Sequence, residues 1–309
     1  MHLLHILAAR LAAAAAVALG VSLMVFLLLH CVPGDPVDVM LGEYAGAADR
    51  LALRQQLGLD LPLAEQGWRF LRGLAYGELG VSLVSGQPVA ALLAEHFIYT
   101  VRLALAALLL ALLVGLPLGV LAALRVGRGW DGCASVLAVL GMSLPSFVLG
   151  PLLIIAFAVQ LRWFPIGGAD QAAGLVLPAI TLASGLAAVL TRMTRAAMLE
   201  ALQLPHVQAA RARGLHEFTI VLGHVCRNAA LPVVTVIGLQ LGALLGGAVV
   251  TETVFNWPGL GQLLVESIQR RDYPVVQGAV LLIALTYIGV NTVIDLLYTR
   301  LDPRIGAGA

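Results

Sequence analysis

Residues 101–124 read VRLALAALLLALLVGLPLGVLAAL, a run with a single charge, Arg102, at its start. A helix rises 1.5 Å per residue, so about 20 such residues cross a hydrocarbon core of about 30 Å. Five further stretches have the same character. They are Leu11–Leu29, Cys133–Gln160, Leu175–Leu190, Leu231–Val250 and Gly278–Tyr298. The first is too long for a signal-peptide core, and no polar cleavage region follows it. Backbone polar groups in lipid must be satisfied within the segment, which makes the spans helical. The expectation is an all-α integral membrane protein with six transmembrane helices.

Composition agrees. The chain has 309 residues, 60% hydrophobic and 11% charged, with mean hydropathy +0.96. A soluble domain is about 25% charged. All 18 basic residues are arginine; there is no lysine. That excludes a P-loop lysine and any lysine Schiff base, so nucleotide chemistry would have to reside in a partner. A net charge of +1 gives no basic excess for nucleic acid. Three cysteines form no CxxC pair, and Cys133 and Cys226 read as small packing residues rather than a disulfide or zinc site. Seven histidines form no HExxH, and no GxSxG elbow occurs. No metal, no cofactor and no catalytic residue is expected.

Arginine placement sets a direction. With the N-terminus in the cytoplasm, ten arginines face five acids inside, and eight face twelve outside. Both termini and the 2–3 and 4–5 connections are then cytoplasmic. The expected organisation is an N-terminal transmembrane helix over 1–30, a periplasmic loop region over 31–98, and a five-helix core over 99–302. That core contains a cytoplasmic loop at 196–230, and 303–309 form a cytoplasmic tail. The outside loop opens on the rigid turn Pro33-Gly34-Asp35-Pro36. It carries amphipathic helical patterns around Leu51, Leu53 and Leu57, ended by Gly58, and around Trp68–Leu74.

The 196–230 loop holds the most informative residues. It reads His206-Val207-Gln208-Ala209-Ala210-Arg211-Ala212-Arg213-Gly214-Leu215, followed by His224, Arg227-Asn228-Ala229 and Leu231-Pro232. This predicts a short alanine-rich helix turned or ended by Gly214, then a second short helix through Leu215, Phe218, Ile220 and Val221. Small residues at 209, 210 and 212 would admit a partner surface closely, with Arg211 and Arg213 placed to pair with its acids. His224 reads as a structural hydrogen-bonding residue. Elsewhere, Gly238, Gly242 and Gly246 recur every four residues on one face of the fifth span. Gly115 and Gly119 do so around Pro117 in the second. Such faces let helices pack backbone to backbone. Gln240 is the deepest polar candidate for a transport path, with the glycine face a path lining or helix interface. Asn291 and Asp295 share a face of the last span, where a packing or interfacial role is expected. Arg102 sits where it can snorkel to the interface. Pro117, Pro145 and Pro151 are expected to kink their helices.

The 4–5 loop resembles the cytoplasmic "EAA" loop of ABC importer permeases, in the version found in the dipeptide, oligopeptide and nickel group. The matching residues are Ala210-Arg211-Ala212-Arg213-Gly214-Leu215, His224, Arg227-Asn228-Ala229 and Leu231-Pro232; Gln208 stands where the general pattern has glutamate. Asn256-Trp257-Pro258-Gly259-Leu260-Gly261 and Arg271-Asp272-Tyr273-Pro274-Val275-Val276-Gln277-Gly278 resemble the group's outside loop before the last helix. Pro33–Pro36, Leu57-Gly58-Leu59-Asp60-Leu61-Pro62-Leu63 and Asp302-Pro303-Arg304-Ile305 resemble its first loop and its end. The resemblance implies a type I ABC importer permease fold in a bacterial inner membrane. It implies as partners a second, homologous permease subunit, two ABC ATPase subunits, a periplasmic or lipid-anchored solute-binding protein, and membrane lipid. It makes Gln208–Leu215 the loop that couples to an ATPase.

The expected function is ATP-driven import of di- and oligopeptides. The same group includes importers of nickel, metal chelates and glutathione, and these are the alternatives. An ion-coupled secondary transporter is a different class; it would need titratable groups near the midplane, and these six spans have almost no midplane acid. An intramembrane hydrolase would need a nucleophile–base pair at membrane depth, and none is present in the sequence.

Overall fold

The computed structural model describes residues 2–31, 37, 41, 46–56 and 58–301, with the side chains of 2–14, 30–31, 56, 243, 245–247 and 295–301 outside that description. The Pro33–Pro36 turn, Leu57, and the Asp302–Ile305 end therefore lie outside the described residues, as do the side chains at Gly246 and Asp295. Among the described residues everything regular is helical except an isolated bridge between Val81 and Pro88. The α-helices are α1 His2–Cys31, α2 Ala47–Gln56, α3 Leu63–Ala75, α4 Val89–Leu124, α5 Gly129–Ser143 and α6 Ser146–Leu153. They continue with α7 Val176–Leu202, α8 Pro205–Ala212, α9 Glu217–Ile220, α10 Cys226–Val254, α11 Leu260–Gln269 and α12 Tyr273–Leu301.

Four of the expected spans are present as helices long and apolar enough to cross a membrane: Val89–Leu124, Ala172–Leu202, Glu217–Gly242 and Tyr273–Ile294. The described apolar part of the first is shorter, Ala15–Leu29. The third bends at Pro145, where a kink is expected, but as a full break. Instead of one helix, Gly129–Ser143 and Ser146–Gln160 are bent by 104°. The cause is local. Leu144 precedes a proline, whose ring disfavours helical backbone in the residue before it. Leu144 takes φ −91°, ψ 110° and Pro145 φ −61°, ψ 145°, so the helix stops and restarts in a new direction. Pro117 and Pro151, by contrast, lie inside helices. The chain after α6 runs as a π-helical segment, Ile154–Gln160, one recognised way of accommodating a nearby proline.

Contacts divide the chain into two units, residues 1–99 with 258–289 and residues 100–257 with 290–309. In the first, Val89, Leu93, Leu260, Val275 and Ala279 form a buried apolar cluster. The Phe26 and Phe70 rings stack at 6.1 Å, joining α1 to α3. Both helical patterns of the outside loop are helices here, α2 and α3, and Gly58 between them has φ +68°. Asp272 is buried and receives hydrogen bonds from the Ser82 hydroxyl and, at 3.0 Å, the Leu83 amide. It thereby fastens the 79–88 loop to the segment ahead of α12.

In the second unit α7 is the central element, packed against α5, α6 and α10. Gly115 and Gly119 of α4 lie directly on it. A methyl at Gly115 would stand 2.9 Å from the Ala187 carbonyl oxygen, and one at Gly119 would stand 2.6 Å from Thr194 Cβ. Glycine is required there by close approach, and the small-residue face in α4 is a helix contact within the chain. The same helix buries Leu103, Ala107 and Ala111 while exposing Leu105, Leu109 and Leu113 at 53%, 59% and 73%. Both faces are apolar. A helix of that kind requires a non-aqueous environment on its open side.

Candidate functional site

The expected coupling residues lie on α8 and the turn after it. Pro205 opens α8, where its missing N–H costs nothing and its fixed φ suits the helix. The helix closes in a Schellman motif: Gly214 donates to the Arg211 carbonyl at 3.0 Å and Leu215 to the Ala210 carbonyl at 3.3 Å. That motif requires a left-handed residue, and Gly214 has φ +79°. The chain then turns into α9, where the His216 ring nitrogen accepts from the Phe218 amide at 3.3 Å.

Val207 and Ala210, three residues apart, are buried against the body of the unit. Gln208, Ala209, Arg211, Ala212, Arg213, Gly214 and Leu215 are exposed. This corrects the expectation that all three alanines face a partner: Ala210 is on the inner side, because a 3.6-residue period places it beneath Val207. Arg211 also differs from expectation. Its guanidinium forks onto Glu217 within the chain, at 2.6 and 3.1 Å, and that carboxylate raises the arginine above its ordinary value. Arg213 is exposed. Phe218 and Leu222, 66% and 53% exposed, extend the open surface beyond Leu215 as an apolar ledge. Behind it, Asn228 links the base of the hairpin: its amide donates to the His224 carbonyl at 2.6 Å and lies 3.2 Å from His206 Nε2. His224 thus contributes to this brace through its backbone.

On α10, Gly238 and Gly242 are buried and Gln240 is half-buried. Two residues along a helix turn it by about 200°, so Gln240 looks away from the glycine face rather than sharing a lining with it. Gly246 lies among the residues whose surroundings are not described.

Two polar constellations were not singled out from the sequence. Arg195 of α7 forks onto Asp131 of α5 at 2.7 and 3.0 Å, and the Gly127 amide donates to the same carboxylate at 3.1 Å. Glu252, fully buried near the end of α10, accepts from the Thr100 hydroxyl at 2.7 Å. The one available signal was an acid or base at the edge of an apolar run. It does not identify partners 64 or 152 residues away.

Such a site holds no nucleophile–base pair, and no group of three metal-binding side chains occurs among the described residues. What it offers is an exposed helix and turn, tied to α9 by the Arg211–Glu217 fork and to the long helix α10 by the Asn228 brace.

Comparison with known proteins gives the same direction. Residues 115–307 match the family model described as "Binding-protein-dependent transport system inner membrane component". Residues 3–104 match that of the corresponding N-terminal membrane component. The glutathione transport system permease protein GsiC of Escherichia coli K12 is 45% identical over 285 residues, covering 92% of this chain and 93% of that protein. GsiC of Shigella boydii matches to the same extent. In fold, the chain is similar to a subunit of the inward-facing MetNI methionine ABC transporter, with TM-score 0.57 and 22% identity over 69% of this chain and 97% of that one. It is also similar to an amino acid ABC transporter crystallised with histidines, with TM-score 0.56 and 18% identity over 68% of this chain and 94% of that one.

Proposed function

Because the chain belongs to the family of binding-protein-dependent transport system inner membrane components, and so is a membrane-embedded ABC importer permease rather than an enzyme, we propose that it carries small peptides, glutathione first. Family membership sets the ion-coupled alternative aside. The choice of glutathione over the di- and oligopeptides favoured by the sequence motifs rests on relatives 45% identical along 92% of the chain.

The observation that carries the mechanism is the exposed α8 turn with Gly214 at its end. In this reading the chain forms half of a pore with a homologous second permease subunit. A solute-binding protein delivers the peptide, and two ATPase subunits grip the α8 turns. The α8 turn faces the cytoplasm, as do both termini. ATP-driven closure of the ATPases moves α8. The Arg211–Glu217 fork and the Asn228 brace keep the hairpin stiff, so the displacement passes into α7 and α10 as rigid-body motion. Exposed Ala209 and Ala212 let the partner surface come close, and Leu215, Phe218 and Leu222 supply apolar contact area.

The experiment is Gly214→Val in the importer assembled with its partner ATPase and binding protein in liposomes. A β-branched side chain at φ +79° costs at least about 1–2 kcal/mol and dismantles the turn. Uptake of labelled glutathione should be abolished while the chain remains in the membrane at its normal level. Normal uptake would refute the coupling role; absence of glutathione uptake by the unsubstituted importer would refute the substrate.

A further inference from the structure

A cavity of about 510 Å³ opens between α5 and α7. Val139 and Met142 of α5 and Val189, Arg192, Met193 and Arg195 of α7 line it. Its size falls within the range of small-molecule sites, about 300–1,000 Å³. The two arginines are not equivalent. Arg195 is committed to Asp131 by a two-bond fork. Arg192 is exposed and lies along the wall, its Nη1 3.4 Å from the Met142 sulfur. Among the described residues no carboxylate is paired with it.

A guanidinium just past the end of an apolar span, beside an apolar trough, takes water or an anion as its counterpart. Its planar fork matches a carboxylate with two parallel hydrogen bonds. The flanking methionines add a second property. Unbranched, polarisable thioethers adapt to varied side chains and recur on surfaces that accept many partners. A fixed cation beside adaptable apolar walls suits a ligand with one constant anionic group and a variable remainder.

We propose that the α5–α7 cavity is a station on the translocation path and that Arg192 receives the C-terminal carboxylate of the peptide in transit. This rests on the small-peptide reading above and adds to it a specificity-determining residue in the permease itself. The contact offsets the cost of stripping water from the carboxylate as the peptide passes the apolar wall. Discrimination against analogues lacking the C-terminal carboxylate is then made a second time, after the binding protein has made its own.

The test compares uptake of glutathione with uptake of its C-terminal amide, in liposomes carrying the importer with its ATPase and binding protein. The same binding protein feeds every variant, so its preference cancels in the ratio of acid to amide rates between variants. Arg192→Gln should lower glutathione uptake about tenfold, the scale of a charge-assisted hydrogen bond, leave amide uptake nearly unchanged, and bring the ratio toward one. Met142→Glu supplies an internal carboxylate beside the retained arginine and should collapse the ratio in the same way. Arg192→Lys, which keeps the charge without the fork, should be intermediate. A ratio equal to that of the unsubstituted protein in both Arg192→Gln and Met142→Glu overturns the proposal. If the rates of those variants follow the fraction of anionic lipid instead, the occupant is a lipid phosphate, which also overturns it. An unsubstituted importer that carries neither peptide overturns the small-peptide reading and this inference together. One that carries both with an unchanged variant ratio overturns this inference alone.

Discussion

Adding one methyl group at Gly119 tests the packing on which α7 depends. A Cβ there would lie 2.6 Å from Thr194 Cβ, 2.8 Å from the Thr191 carbonyl oxygen and 3.0 Å from Thr194 Cγ2. Carbon atoms in contact sit at about 3.5–4.0 Å, so α4 and α7 must part by about 1 Å. Two of the obstructing atoms are a backbone carbonyl and a β-carbon, neither of which swings aside. Overpacking of this kind costs about 1–3 kcal/mol. Replacing a helical glycine by alanine returns about 0.5–1 kcal/mol of backbone entropy. The net expectation for Gly119→Ala is a loss of about 1–2 kcal/mol. Gly115→Ala, with its nearest obstruction at 2.9 Å, should lose less. Gly132→Ala in α5, where nothing lies within 4 Å, should be neutral or gain. Thermal unfolding of the three variants in one detergent, followed by loss of monodisperse protein, checks the order. Equal stability of Gly119→Ala and Gly132→Ala would refute the close α4–α7 contact.

Two further substitutions follow from the polar contacts. Arg195→Lys keeps the charge at α7 but cannot span both Asp131 oxygens. It should lower thermal stability relative to the unsubstituted chain, and stability in Arg195→Lys equal to the unsubstituted value would mean the fork contributes nothing. Asp272→Ala removes the acceptor for Ser82 and Leu83, leaving donors uncompensated at about 1–3 kcal/mol for a buried group. Limited proteolysis within residues 82–87 should accelerate, and Asp272→Asn, which retains one oxygen, should fall between; an unchanged cleavage rate would remove Asp272 as the anchor of that loop.

The helices were legible because lipid-facing and core-facing positions are both apolar, so length alone marks them. The α8 turn was legible because its cause is local: Pro205, an alanine run and Gly214 lie within ten residues. The bend at Pro145 was legible as a kink but not as a 104° break, since Pro117 stands in a similarly apolar run and leaves α4 continuous. Hydropathy does not separate the two cases. Pro117 lies between Gly115 and Gly119 on a helix clamped to α7 by close approach, whereas Ser143 and Leu144 lead into an exposed corner. The proline permits the break, and tertiary support decides whether the helix continues through it.

The side of α8 was likewise set by packing. The sequence offers Ala209, Ala210 and Ala212 as equals, and only contact of Val207 with the body of the unit turns Ala210 inward. The absence of lysine has a structural counterpart at this same place. Both Arg195 and Arg211 engage carboxylates through two bonds at once, a geometry that an ammonium on a flexible stem does not provide. Each fork joins segments that must move as one if force applied at α8 is to reach the spans: α5 to α7, and α8 to α9. A point charge would hold these segments near one another while leaving them free to rotate. A planar fork fixes orientation as well, and orientation is what a lever transmits.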